Sequence, residues 1–136
     1  MSATYNKFQK FVEDIAHGVH DLESDQLVIA LTNVAPVATN SVLADLTEIT
    51  YTNLSAREIT TASSAQTDGT YKLTLTDLEL TASGDVGPFR YVVVYNDDAT
   101  GDPLICWFDY ESSITLHDGD KFEIDFSSES GLFQIE

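Results

Sequence analysis

At 136 residues with a single cysteine, the chain fits one domain (residues 1–136), large enough to bury a core without a disulfide or a metal. Its formal net charge of −17, from 23 acidic against 6 basic residues, argues against nucleic acid and anionic membrane surfaces as partners, because both demand clustered cations. No run approaches the roughly 18 apolar residues of a membrane span, and the polar opening lacks the apolar core of a signal peptide, so synthesis in the cytosol is expected.

Phe8, Phe11, Val12, Ile15 and Val19 recur at a spacing that gathers them into one stripe and predicts an N-terminal α-helix over about residues 5–18. Asn6 is placed to cap it, with Gln9 three residues on, and Gly18 to end it. The stripe must land on the body of a sheet or on a partner subunit. Residues 26–32 alternate Leu27, Ile29 and Leu31 with Val28 and Ala30, a strand buried on both faces. The next stretch, 33–45, holds Pro36 and Asn40 and reads as a long surface connection with one turn of helix near 42–46. Connections of this kind carry specificity more often than stability. Residues 47–53, around Ile49 and Tyr51, and 57–61, around Ile59, read as half-buried strands.

Residues 62–69 are small and polar and close on an Asp-Gly turn signal, which predicts a loop or a flat edge. Within 71–82, Tyr71, Leu73 and Leu75 share one parity while Leu78, Leu80 and Ala82 share the other. A slip near Thr76 and Asp77 would let the strand bend from one sheet into another. The centre of the chain is a hairpin of 89–95 and 103–110. Its first strand sets Phe89, Tyr91, Val93 and Tyr95 against Val92 and Val94, and its second sets Leu104, Cys106, Phe108 and Tyr110 against Ile105 and Trp107. Neither face suits water, and the tip, 96–102, holds turn-forming residues. A short strand at 113–116, a turn at 117–120, an alternating strand at 121–126 and a last strand at 132–135 complete the chain. The fold expected is mainly β, an antiparallel two-layer β-sandwich (jelly-roll or immunoglobulin-like) of about eight strands with one N-terminal α-helix.

Several polar groupings invite chemistry. His17 and His20 have a spacing that can serve a metal, but a third ligand is missing and Gly18 breaks the helix between them. His117 beside Asp118 has no nucleophile attached by any motif, and Cys106 sits in an apolar strand that suppresses its thiolate. Asp97, Asp98 and Asp102, like Asp118, Asp120 and Asp125, fail the alternating pattern of a calcium loop and read as solvated turns. Tyr95, Trp107 and Tyr110 at strand parity read as core or interface rather than as a sugar platform. No catalytic residue, metal ligand or cofactor is expected, and the chain is not expected to be an enzyme.

The runs Tyr-Asn-Lys-Phe-Gln-Lys-Phe-Val at 5–12, Val-Ile-Ala-Leu-Thr-Asn-Val-Ala-Pro at 28–36, Gly-Thr-Tyr-Lys-Leu at 69–73, Gly-Pro-Phe-Arg-Tyr at 87–91 and Asp-Gly-Asp-Lys-Phe-Glu-Ile-Asp-Phe at 118–126 give nearly the whole chain its character. Together they resemble a family of small structural proteins of tailed bacteriophages. The resemblance implies a virion component made in the host cytoplasm. The foremost expectation is a head decoration, or cement, protein on the capsid exterior, with the major capsid protein as partner and a homo-oligomer, a trimer foremost, as its state. A tail or neck component is the second expectation, and a receptor- or glycan-binding β-sandwich module the third. Expected contacts are the helix, through Phe8, Phe11, Val12 and Ile15, and the 33–45 loop, through Pro36 and Asn40.

Overall fold

The computed structural model describes residues 3–136. It is mainly β, with ten strands in three antiparallel sheets and one short helix. In chain order these are β1 (Thr4–Lys7), α1 (Gln9–Ala16), β2 (Leu27–Thr32), β3 (Glu58–Ile59), β4 (Thr61–Thr67), β5 (Thr70–Leu75), β6 (Leu78–Thr81), β7 (Val86–Asn96), β8 (Leu104–Leu116), β9 (Lys121–Ile124) and β10 (Phe133–Ile135). The five-stranded sheet β1-β8-β7-β2-β3 forms one layer of a sandwich; β10-β5-β4 and the pair β6-β9 form the other. Leu27, Ile29, Leu31, Val92, Val94 and Cys106 from the first layer meet Leu73, Leu75, Leu80, Ile124 and Leu132 from the second in the main core. Among the described residues no helix is long and apolar enough to cross a membrane.

The outer face of the large sheet is apolar too, as the two-sided strands require, and it carries its own cluster. Phe8, Val28, Ala30, Val93, Tyr95 and Leu104 pack there beneath Leu43, Leu46 and Trp107. The cover is the 33–46 connection, which holds a single 3-10 turn, Leu43–Asp45. Its backbone is fastened to the sheet by Leu43 N–H donating to the Asp102 carbonyl (2.9 Å) and Leu104 N–H to the Ser41 carbonyl (3.0 Å).

The central hairpin departs from simple alternation at two places, and both change which side chains are shared. A register shift between Phe89 and Tyr91 turns Phe89 away from Tyr91 and into the main core, 5.3 Å from Phe122. Opposite Val94 and Tyr95 the partner strand holds an extra residue, so Leu104 joins the outer cluster while Ile105 and Cys106 both enter the main core. An inserted residue re-aims every side chain beyond it. The expected strand at 113–116 is the continuation of β8, past a Glu111 held at φ 68.

Three other expectations are corrected. The helix covers Gln9–Ala16 only, and part of its expected first turn is strand β1, paired with β8. Asn6 does not cap it: Phe8 is the N-cap residue, in extended conformation, and the free Gln9 N–H donates to the Ala38 carbonyl of the covering loop (2.9 Å). Residues 47–53 form no strand. Ile49 N–H donates to the Leu31 carbonyl (3.0 Å) and the Tyr51 hydroxyl accepts from Leu31 N–H (2.9 Å), so a side chain stands where a ladder would be. The change of parity near Thr76 and Asp77 is where β5 leaves one small sheet and β6 enters the other. Residues 62–67 take the second of their two expected forms, an edge: they lie within the edge strand β4.

Candidate functional site

The polar groupings are dispersed by the fold. His17 is exposed, whereas half-buried His20 turns its Nδ1 to Asn96 Nδ2 at 2.9 Å. The Asn96 amide also donates to Asp25 Oδ2 (2.7 Å), and its Oδ1 accepts from the N–H groups of Asp98 and Ala99. Since Asn96 donates to Nδ1, neutral His20 carries its proton on Nε2, which lies buried beside the Phe11 ring with no partner among the described residues. Burial holds the His20 pKa below its ordinary value, against the opposing pull of Asp14 and Asp25.

His117 pairs with Asp85 rather than Asp118, at 2.9 Å on the open surface, and that carboxylate raises its pKa. Asp98 accepts the Gln26 N–H (2.8 Å), and Asp120 accepts the His117 N–H (2.9 Å); both act as turn ties. No group of three or more His, Cys, Asp or Glu among the described residues could hold a metal. Burial pushes the Cys106 thiol far above its ordinary pKa. The three aromatics considered as a platform are separated: Tyr95 and Trp107 belong to the outer cluster and Tyr110 to the main core.

What the fold does assemble is an apolar groove. β1 ends the large sheet and β10 ends the three-stranded sheet, and the two edges face each other beside α1. Between them lies a cavity of about 740 Å³ lined by Phe11, Val12, Ile15, Phe133, Ile135 and neighbours. Tyr5, Gly131 and Leu132 continue it into a second cavity of about 570 Å³ that reaches Tyr110 and Phe126. Val12 is 51% exposed, Ile135 43% and Tyr5 36%, which makes this rim one of the few places where large apolar side chains meet water. The larger cavity has no acidic residue in its lining and one cation, Lys7, on a chain of net charge −17. Local order comes from Gly131, at φ 73, where Leu132 N–H donates to the Leu73 carbonyl (2.7 Å) and docks the last strand against β5.

The expected contact residues divide. Phe8 and Phe11 are buried within the chain itself, Phe8 with its ring 4.6 Å from Trp107 and Phe11 with its ring 5.2 Å from Phe133. They are structural in the free chain, because the helix is short and its N-terminal end is drawn onto the outer cluster. Val12 and Ile15 line the groove. Pro36 is buried in the covering loop, and the half-exposed Asn40 uses its Oδ1 to accept the Val37 N–H (2.9 Å). Tyr5, Phe133 and Ile135 were not singled out as contacts from the sequence. The signal for Tyr5 was its alternation with Asn6 and Lys7, which a helical reading of the same residues conceals.

No family model matches the chain, and neither does any curated protein or solved structure.

Proposed function

We propose that the chain is a non-enzymatic structural protein of a tailed-bacteriophage virion, a decoration or cement protein that binds the outer surface of the major capsid lattice and stabilises the head. The observation that carries the reading is the groove between β1, α1 and β10, open to water, predominantly apolar and without a carboxylate in its lining, on a chain of net charge −17. Exposed apolar strips of this kind mark protein contact sites. The sequence runs that resemble phage structural proteins supply the setting.

The mechanism is mass action. A domain that binds the assembled shell and not its dispersed subunits stabilises the shell by about 2.7 kcal/mol per site at a hundredfold excess over Kd. Repetition over a lattice lets a modest single contact suffice. The acidic surface keeps the free protein soluble before assembly. Val12, Ile15, Phe133 and Ile135 are the contact residues in this reading, and the homo-oligomer brings several grooves to neighbouring capsomers at once.

Antibody-gold labelling of intact particles tests it. Label spread over the head is expected, together with particles that release their genome at lower temperature when the protein is stripped and recover when it is added back. A Val12→Asp, Ile135→Asp double variant should fold and fail to rebind. Label confined to the tail or neck would overturn the cement role and move the protein to a ring in the head-to-tail passage.

A further inference from the structure

We propose that His20 is an acid-operated latch: its neutral ring helps fasten residues 18–25 to the body of the domain at Asn96, and protonation of the ring releases that segment. The segment joins α1 to β2 between two fixed points. At one end Gly18, at φ 71, follows the helix. At the other, Gln26 N–H donates to Asp98 Oδ2 (2.8 Å) and the Gln26 carbonyl accepts from Asp97 N–H (3.0 Å). Backbone hydrogen bonds of residues 18–25 stay within 14–25: Val19 N–H donates to the Asp14 carbonyl (2.9 Å), and the N–H groups of Ser24 and Asp25 donate to the Asp21 carbonyl. Among the described residues, two polar ties hold this segment to the rest of the chain, and both end on the side-chain nitrogen of Asn96. Leu22 adds an apolar contact with the main core. A segment held by so few contacts opens at a lower free energy than the strands around it.

The tie admits one protonation state. Asn96 is fully buried, and four partners fix its amide. Its Oδ1 accepts the N–H groups of Asp98 (2.9 Å) and Ala99 (3.2 Å), so the two protons of Nδ2 go to Asp25 Oδ2 (2.7 Å) and His20 Nδ1 (2.9 Å). A charged imidazole carries a proton on each nitrogen. Its Nδ1–H would face the Asn96 N–H, donor against donor, and its Nε2–H would stay buried beside Phe11 with no acceptor among the described residues. Two carboxylates pull the other way, Asp14 from α1 and Asp25 from the segment itself, while β7 presents only the uncharged Asn96 amide. Both carboxylates are already engaged: Asp14 with Lys10 Nζ (3.0 Å), and Asp25 with Asn96 and the Asp21 N–H (2.9 Å). Burial outweighs their pull and holds the ring neutral in the closed form.

Once released to solvent, His20 regains its ordinary value of 6.5, so the open segment binds the proton more tightly than the closed one. As pH falls from 6.5 towards the lower folded pKa, the ratio of open to closed rises by up to about tenfold per pH unit, and below the folded pKa it levels off. The ring also lies 5.3 Å from Phe11, which packs 5.2 Å from Phe133 in the lining of the groove. Release therefore withdraws a wall from behind Phe11 and loosens the groove. Acid sensitivity of contacts made at the groove rests on the reading of that groove as a contact site; the latch itself does not, since it concerns the free chain.

NMR of the purified full chain from about pH 7.5 to about pH 4.5 tests it, following the His20 ring protons, the backbone amides and the heteronuclear NOE, which reports ps–ns motion. The amides of residues 18–25 and the side-chain amide of Asn96 are expected to shift with the same midpoint as the His20 ring, below pH 6.5, and the NOE of 18–25 to fall while β2 and β7 keep theirs. His20→Gln, whose side chain stays uncharged and can accept the Asn96 N–H, should keep the segment ordered throughout. If that variant leaves the segment loose at neutral pH, the match between the ring and amide midpoints of the unaltered chain decides. A ring that titrates while the NOE of 18–25 holds, as when Asp25 captures the imidazolium in place, overturns the proposal. So does a ring that titrates at or above 6.5, one that titrates only as the whole domain unfolds, or an opening that persists unchanged in a seated His20→Gln.

Discussion

Phe8 separates two accounts of the N-terminal segment, and truncating it to alanine measures which holds. As an exposed anchor for a partner, the ring would contribute little to the free chain. In the structure it is fully buried, it packs at 4.6 Å from Trp107, and its own N–H donates to the Ile105 carbonyl (3.3 Å) at the entry to α1. Phe→Ala at a fully buried site costs about 3–5 kcal/mol, the upper part applying where the cavity cannot collapse. Here the 33–46 cover can settle somewhat, so about 3 kcal/mol is expected, a large fraction of the 5–15 kcal/mol typical of a domain. For a chain of this length that lowers Tm by about 10 °C. Trp107 is the sole tryptophan, so its emission reports the site directly and should shift to the red as water reaches the indole. Val12→Ala, at a half-exposed position on the same helix, should stay within about 0.5 kcal/mol of the parent. Equal denaturant midpoints for Phe8→Ala and Val12→Ala, with unshifted emission, would refute the assignment of Phe8 to the core.

The imidazoles of His20 and His117 should titrate by NMR on opposite sides of the ordinary value of 6.5, His20 below it through burial and His117 above it through Asp85. The signs for stability differ accordingly. The His20 contribution is present above pH 6.5 and is lost as pH falls through its folded pKa, while that of His117 is present below 6.5 and is lost as pH rises through its own; His20→Gln should abolish the first dependence, and coincident titrations would contradict both environments. Gly131→Ala should destabilise by more than about 2 kcal/mol in urea, because its Cβ would lie 2.5 Å from the Leu73 carbonyl oxygen at φ 73, whereas Gly119→Ala, at φ 87 with open space, should cost only about 1 kcal/mol.

The fold class was legible because its determinants are local. Alternation in 26–32 and 89–95 marks strands buried on both faces, and the parity change at Thr76 and Asp77 marks the passage between sheets. Register was not legible. The extra residue that sends Ile105 and Cys106 to the same side, and the shift that turns Phe89 from Tyr91, are set by the partner strand, and a single run of apolar residues looks the same with or without them. The absence of a strand at 47–53 has a similar origin. Tyr51 reaches across to satisfy Leu31 N–H with its hydroxyl oxygen while its O–H donates to Glu48 Oε1 (2.7 Å), a long-range substitution of side chain for ladder.

The groove was half legible for a different reason. Val12 and Ile15 are visible in the helical stripe, but a single stripe reads as needing one surface, and the structure gives it two. Phe8 belongs to the outer cluster because strand β1 ends at Lys7 and the chain must cross the end of the large sheet to start α1; Phe11 then enters the main core against Phe133, and Val12 and Ile15 remain at the rim. The same crossing leaves β1 as a short edge facing β10, so the opening between the two layers is never closed by backbone. The seam between the two layers therefore stays open to water beside Val12, Ile15 and Ile135, on a chain of net charge −17.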